Sequence, residues 1–219
     1  MGVFSNNLLA GAGGQASGAA AFYDHQIEQS ARFDSATPSS MNFTPSSAGN
    51  RKTFTISFWT KISGGIGSSS RWIFGAGTQS SDNDYLLFPS GNQLKFSFAT
   101  EGSGNVATTQ LFRDPNAWYH IVVAQDTTQS TASDRIKFYV NGELQTEFEN
   151  YTSGGSPTPF YPSQNSATIN DSAHSFLLGV GDADSVAASF DGYQAETYFI
   201  DGTAYAASDF GRSEERRVG

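Results

Sequence analysis

Residues 52–63, KTFTISFWTKIS, follow a period of two that restricts this segment to one kind of backbone. The apolar side chains of Phe54, Ile56 and Phe58 fall on one face of the pattern, and the intervening residues fall on the other. Successive side chains of a β-strand point to opposite sides of its sheet, so this spacing is typical of a strand with a buried face.

The segment DRIKFYVNGELQTEF, residues 134–148, predicts a β-hairpin. Asn141-Gly142 is the dipeptide of a two-residue type I′ turn, and Glu143 to Phe148 is predicted to return as the second strand. Clusters of Gly, Ser, Asn and Asp separate further short strands, in residues 25–33, 71–77, 84–88, 93–100, 117–128, 174–181 and 192–202. No segment has a helical period, so we predict an all-β, antiparallel sandwich.

Composition narrows the classes of protein. A chain of 219 residues with 18 Phe, 9 Tyr and 3 Trp can bury one large core, which predicts a single β-domain. With no cysteine, disulfides and thiolate metal sites are excluded. A net charge of −9 is repelled by phosphate backbones, and no apolar run is long enough to span a bilayer. We therefore expect neither a nucleic-acid partner nor membrane insertion.

Four segments together resemble a known family: TPSSAGNRKTFTISFWTKIS, LFRDPNAWYHIVVAQDTT, DRIKFYVNGE and FDGYQAETYFIDGTAYAASDFG. This set is similar to the laminin-G-like jelly roll of the concanavalin A-like lectin/glucanase superfamily. The resemblance implies a two-sheet antiparallel β-sandwich over residues 25–211. Residues 1–24 are predicted to be a flexible Gly/Ala-rich arm. Residues 212–219, RSEERRVG, match the translation of a common sequencing adapter and are predicted to be a non-native tail.

The resemblance also implies a function. The set is closest to domains of virion and tail-associated proteins of marine tailed bacteriophages. We therefore expect a non-catalytic adhesion or decoration protein of the virion, whose partners are other virion proteins and, as a candidate ligand, bacterial surface polysaccharide. Oligomeric state is left open. The first alternative is a secreted or cell-surface lectin, and the second is a degenerate glycoside hydrolase.

Catalysis is disfavoured by one short segment. Glycosidases of this superfamily carry Glu-x-Asp-x-x-Glu on one strand, which supplies a nucleophile and a general acid. The comparable stretch here is AETYFID, where Glu196 is followed by Tyr198 in place of Asp, and Asp201 falls on the opposite face. We expect no enzymatic activity.

Acidic loop residues are candidate calcium ligands, because Ca²⁺ takes six to eight oxygens from carboxylates and carbonyls. The candidates are Asp82 and Asp84 in SDNDY, Asp182 and Asp184 in GDADS, and Asp191 in FDG. The resemblance implies calcium at one rim of the sandwich. The alternative is that these residues cap turns at strand ends.

Glycan binding requires exposed rings that stack on sugar faces. The available rings are Trp59, Trp72, Trp118, Tyr85, Phe160 and Tyr161. Residues 149–171 form a long Pro/Ser/Asn-rich loop, and loops of this length are usually functional or mobile. Its aromatic residues Tyr151, Phe160 and Tyr161 are our candidate ligand contacts. The resemblance implies that Trp59 is a packing residue instead.

His120 is the remaining candidate for chemistry, since it interrupts an apolar strand. A general base needs a second titratable group within hydrogen-bond reach. The nearest acids in sequence are Asp114 and Asp126, in the flanking turns. We therefore interpret His120 as a packing residue whose ring is satisfied by a backbone carbonyl or a neighbouring strand.

Overall fold

The computed structural model describes residues 29–63, 70–77, 84–98, 104–149, 161–170, 174–181 and 189–210. The predicted N-terminal arm, residues 1–24, and the predicted non-native tail, residues 212–219, lie outside these ranges. In the described part the strands are β1 (Ala31–Phe33), β2 (Met41–Phe43), β3 (Thr53–Ile62), β4 (Arg71–Ala76), β5 (Asp84–Phe88), β6 (Gln93–Phe98), β7 (Gly104–Leu111), β8 (Tyr119–Asp126), β9 (Ile136–Val140), β10 (Glu143–Leu144), β11 (Phe176–Leu178) and β12 (Gly192–Asp201). The helical segments there are two short 3₁₀ turns, Ala132–Asp134 and Ala207–Phe210, and neither could cross a membrane.

These strands form two six-stranded sheets. Sheet A has the order β1-β12-β3-β8-β9-β10, and sheet B has the order β2-β11-β4-β5-β6-β7. Neighbouring strands are antiparallel throughout both sheets. The prediction of an all-β antiparallel sandwich is confirmed.

The core lies between the sheets, on the face that the period of two predicts. From sheet A it takes Phe54, Ile56 and Phe58 of β3, and from sheet B it takes Leu94 and Phe96 of β6. Burial of one such side chain is worth about 1.5–3 kcal/mol, so the sandwich needs no disulfide.

The outer face of sheet A is covered in part by the segment 203–210. The hydroxyl of Thr55 donates to the Thr203 carbonyl at 2.7 Å and accepts from the Tyr205 N–H at 2.8 Å. Phe210 lies against the His120 ring, with centroids 6.1 Å apart. Thr55 and Ser57 are therefore buried although they face away from the core.

The β9–β10 hairpin turns where predicted. Asn141 and Gly142 have φ values of 50° and 84°, the positive angles that a type I′ turn requires. The returning strand is shorter than predicted, because only Glu143–Leu144 pair with β9. Phe148 instead forms a bridge to Thr108 of β7 in the other sheet. The reason is packing, since the Phe148 ring lies 6.0 Å from Phe138 at the edge of the core.

A β-bulge interrupts β12 between Ala195, which faces Trp59, and Tyr198, which faces Ser57. Its residue Glu196 has a φ of 48°, in the left-handed region that a side chain rarely adopts. The extra residue leaves Tyr198 on the outer face and turns Phe199 inward, where it stacks on Phe54 at 5.3 Å.

Candidate ligand-binding site

The outer face of sheet B carries polar side chains at alternate positions. Leu94, Phe96 and Phe98 of β6 point into the core, so Lys95 and Ser97 point outward. Register pairs Lys95 with Ala107 and Ser97 with Asn105 of β7. An amide, a hydroxyl and an ammonium thus share one patch of the sheet.

This patch is sheltered from solvent although it faces away from the core. Asn105 is 3% exposed and Ser97 is 7% exposed. The Asn105 Oδ1 atom is buried, and it accepts no hydrogen bond from any described residue. An acceptor left in that state costs about 1–3 kcal/mol, and such atoms in native proteins call for an explanation. A ligand that donates a hydrogen bond to Asn105 Oδ1 would remove this penalty, and it would displace a neighbouring group that covers this atom in the present arrangement.

Lys95 gives the patch a positive charge in partial shelter. Its side chain is half-buried, and this burial lowers the pKa of the ammonium below its usual value. The same desolvation strengthens any hydrogen bond that the ammonium donates to a ligand oxygen, because the local dielectric is lower than that of water.

A carboxylate borders the patch at its β7 edge. The Glu149 backbone N–H donates to the Ala107 carbonyl at 2.9 Å, which holds this residue against β7. The Gln93 side-chain amide then donates to Glu149 Oε1 at 2.6 Å. The contact fixes one carboxylate oxygen, and the group adds acceptor capacity beside Lys95 and Asn105.

Trp72 supplies a ring on the same face. Trp72 pairs with Leu87, and Leu87 pairs with Lys95 on the next strand. The Cα atoms of Trp72 and Lys95 are therefore two strand spacings apart, about 10 Å. The backbone of Gly181 packs directly against the indole, since a Cβ at Gly181 would stand 0.9 Å from Trp72 Cε3. We call Trp72, Gln93, Lys95, Ser97, Asn105 and Glu149 the sheet B patch.

Comparison with known proteins identifies the family. A family model described as "Concanavalin A-like lectin/glucanases superfamily", Laminin_G_3, matches residues 35–192. The chain belongs to the concanavalin A-like superfamily. No curated protein sequence matches the chain.

Two solved structures illustrate the fold of this concanavalin A-like domain. Domains LG4–5 of the mouse laminin α1 chain align at a TM-score of 0.55 and 16% identity, over 88% of this chain and 49% of that chain. The binding domain of botulinum neurotoxin serotype D aligns at a TM-score of 0.56 and 13% identity, over 83% of this chain and 40% of that chain. The chain therefore spans half or less of either protein, and at such identities the likeness is one of fold.

Two of the aspartates predicted as calcium ligands, Asp84 and Asp191, lie in the described part of this concanavalin A-like domain. Asp84 is 0% exposed, at the first residue of β5 on its core-facing side. Asp191 accepts from Arg32 at 2.7 Å and from Ser35 at 3.3 Å. Asp82, Asp182 and Asp184 lie outside the described residues. Within the described ranges, no three His, Cys, Asp or Glu side chains are grouped to hold a metal, and calcium binding by these loops stays a prediction.

Of the three aromatic residues predicted to contact a ligand from the long loop, Tyr161 lies within the described residues. Tyr161 is half-buried, with its ring 6.5 Å from Phe148 in an edge-to-face arrangement. Burial raises the pKa of its phenol. Tyr161 therefore packs against the edge of the core. Tyr151 and Phe160 lie outside the described residues.

His120 lies on the outer face of sheet A, sandwiched between neighbours. Its Nε2 shares a 3.0 Å hydrogen bond with Ser57 Oγ on the adjacent strand, and its ring stacks on Trp59 at 4.9 Å. Burial lowers the pKa of His120, and the Glu196 carboxylate partly opposes this shift. Serine, histidine and a carboxylate are thus near one another. However, Ser57 is 1% exposed and Phe210 lies against the imidazole, so both the serine and the histidine are covered in this arrangement.

The sheet B patch was missed as a site in the sequence, although one signal for it was present. QLKFSF alternates polar and apolar side chains, which identifies Gln93, Lys95 and Ser97 as one outward face. Asn105 carries no comparable signal, because NVATT does not alternate cleanly and its partner across the sheet depends on pairing.

Proposed function

We propose that this domain is a non-catalytic carbohydrate-binding module that holds a glycan on the sheet B patch. The observation that carries the proposal is the buried Asn105 Oδ1, which accepts no hydrogen bond within the described residues. It stands in a sheltered patch with a cation, a hydroxyl and an indole.

The chemistry of the patch suits a sugar. Each hydroxyl of a sugar both donates and accepts hydrogen bonds, so its site needs both kinds of partner. Asn105 Oδ1 and the Glu149 carboxylate accept, whereas the Lys95 ammonium and the Asn105 amide donate. The apolar face of a pyranose can lie on the exposed part of Trp72.

The lack of catalysis is part of the proposal and rests on carboxylate positions. Retaining glycosidases hold two carboxyl groups about 5–5.5 Å apart, and inverting enzymes about 6.5–9.5 Å apart. On the sheet B patch, the described residues contribute one carboxylate, that of Glu149. Glu196 belongs to the other sheet, and Asp201 Oδ1 accepts from the Asn50 N–H and the Asn170 amide, each at 2.7 Å.

A finer part of the proposal concerns where the domain acts. We propose that it decorates a bacteriophage virion, on the tail or capsid, and attaches to bacterial surface polysaccharide beside other virion proteins. The support is the resemblance of the four quoted segments to virion and tail-associated domains. Many copies on one particle would add weak contacts into firm attachment. The alternative is a secreted or cell-surface lectin with the same binding site.

Binding to immobilised capsular polysaccharides and lipopolysaccharide O-antigens tests the glycan site. We expect Asn105→Ala to weaken binding at least tenfold, because the proposed contact to a sugar hydroxyl is lost, and thermal unfolding of the variant checks that it remains folded. Asn116→Ala is the matched control, an exposed asparagine in the loop before β8.

Two outcomes would contradict the glycan site: a wild-type domain that binds none of these polysaccharides, or equal binding by the Asn105 and Asn116 variants. Mass spectrometry of purified tailed phage particles that carry the gene tests the virion role. The absence of the protein from such particles would favour the secreted lectin.

A further inference from the structure

Four residues form a row across the outer face of sheet A: one from each of β1, β12 and β3, and Trp118, which directly precedes β8. Register pairs Arg32 of β1 with Tyr193 of β12, and Tyr193 with Lys61 of β3. Trp59 pairs with His120, so Trp118, two residues earlier in the chain, comes beside Lys61. The row spans about 15 Å at the usual strand spacing. We call these four residues the sheet A row.

Two aromatic rings of the row lie close together and half-exposed. The centroids of Trp118 and Tyr193 are 6.3 Å apart, with the ring planes inclined by 55°. Lys61, half-buried, comes from the strand between them. The segment 203–210 contacts Thr55 and His120, farther along the sheet, and among the described residues it forms no hydrogen bond and no ring pair with Trp118 or Tyr193.

Arg32 is held in a defined position at the end of the row. Its guanidinium carbon stands 5.3 Å from the Tyr193 ring centroid, a cation–π arrangement. One nitrogen donates to Asp191 at 2.7 Å, and another donates to the Gly192 carbonyl at 3.4 Å. The arginine side chain is still 40% exposed, so part of the guanidinium faces solvent.

The sheet A row carries positive charge on a protein that is acidic overall. Arg71, which is buried, interacts electrostatically with Asp191 from the other sheet, so Arg32 and Arg71 share this one carboxylate. Asp34, near Arg32, already accepts from the Ala36 N–H and the Thr37 hydroxyl. Lys61 forms no ion pair with any described residue. Positive charge is therefore available here, against a net charge of −9 for the whole chain.

We propose that the sheet A row is a second glycan site, separate from the sheet B patch, for saccharides that carry a carboxylate. The rings of Trp118 and Tyr193 contact the apolar faces of the sugar, while Lys61 and the free side of Arg32 bind its carboxylate. This occupant follows from charge complementarity, because rings flanked by cations select an anionic sugar over a neutral one of the same shape.

A matched pair of ligands tests this assignment: tetragalacturonate and its fully methyl-esterified form, which has the same rings without the charge. We expect the wild-type domain to bind the acid at least tenfold more tightly than the ester, as measured by isothermal titration calorimetry. Raising the salt concentration should narrow this difference, because salt screens exposed charges.

Variants identify the residues. Lys61→Gln should weaken tetragalacturonate binding about tenfold, and Lys61→Arg should restore most of the loss. Lys137→Gln is the control, a partly exposed lysine on β9 of the same sheet whose only described ion pair is with Asp134. Trp118→Phe should reduce the change in tryptophan fluorescence that accompanies binding. Equal affinity for acid and ester, or equal effects of the Lys61 and Lys137 variants, would overturn the proposal.

Variants of the two sites should affect different ligands. Asn105→Ala should leave tetragalacturonate binding unchanged, and Lys61→Gln should leave the binding of neutral polysaccharide to the sheet B patch unchanged. Loss of tetragalacturonate binding in Asn105→Ala would indicate that the acidic sugar binds to the sheet B patch, and it would exclude the sheet A row as its site.

Discussion

The imidazole of His120 stacks on the indole of Trp59, with ring centroids 4.9 Å apart and planes inclined by 22°. Both residues lie on the outer face of sheet A, at paired positions of β8 and β3. The pair forms a second, small core outside the main one, closed from above by Phe210. Its role is structural, and its consequences can be measured.

Truncation of this histidine should reduce stability more than binding. We expect His120→Ala to lower the free energy of unfolding by about 2–3 kcal/mol, because it leaves a cavity beside Trp59 and removes the hydrogen bond to Ser57. Urea denaturation measures the change. His120→Gln, which keeps a polar group but removes the stacked ring, separates the two contributions. A variant that unfolds like the wild type but no longer binds glycan would contradict the structural role.

Burial of His120 predicts a pH dependence of stability. The pKa of His120 is lower in the folded state than its usual value of 6.5, so below that pH the unfolded chain binds the proton more readily. The stability that this group contributes is complete above about pH 6.5 and is lost as the pH falls toward and through the folded-state pKa.

Urea denaturation at several pH values between 7.5 and 4.5 checks this dependence. The wild-type domain should lose stability over this range, and His120→Gln should lose less, because it has no imidazole to protonate. Parallel profiles for the two proteins would show that the histidine does not cause the change.

The Thr55 hydroxyl should control the attachment of the segment 203–210. Thr55→Val preserves shape but removes both hydrogen bonds to this segment, and it leaves the Tyr205 N–H without its acceptor. We expect a loss of about 2 kcal/mol and faster hydrogen exchange at the Tyr205 amide. Thr203→Val is the control, since that side chain is exposed. Equal exchange rates in the two variants would rule out this attachment.

Glycan binding on the sheet B patch should survive removal of calcium. The patch contains the Lys95 ammonium, which repels a divalent cation, and its proposed sugar contacts need no metal. Binding assays with and without EDTA test this expectation. Loss of binding on chelation, restored by added Ca²⁺, would instead support a calcium site formed by the loops of Asp82, Asp84, Asp182 and Asp184.

Much of the fold is predictable from the sequence, because the period of two reports directly which side chains face the core. Residues 52–63 behave as this period indicates, and the Asn141-Gly142 turn follows from the positive φ values that both residues tolerate. The strand after this turn is not predictable in the same way. Glu143 to Phe148 reads as one strand, but Phe148 pairs with Thr108 of the other sheet, and that choice depends on packing between distant residues.

The candidate sites are less predictable, because each depends on how strands line up. Asn105 becomes a candidate only when pairing with Ser97 puts it on a sheltered outer face. Likewise, Arg32, Tyr193 and Lys61 are far apart in sequence and meet only through the register of three strands. Hydrophobic alternation identifies the faces of a strand but gives no information on its neighbours.

The bulge at Glu196 determines which side chains in the second half of β12 face the core. Ahead of it, odd-numbered residues such as Tyr193 face outward, whereas beyond it Tyr198 faces outward and Phe199 inward. Deleting this one residue would exchange the two sides of everything downstream, burying the Tyr198 phenol and expelling Phe199 from its stack on Phe54. The two halves of β12 alternate out of step with each other, and this single bulge allows the apolar side chains of both halves to face the same core.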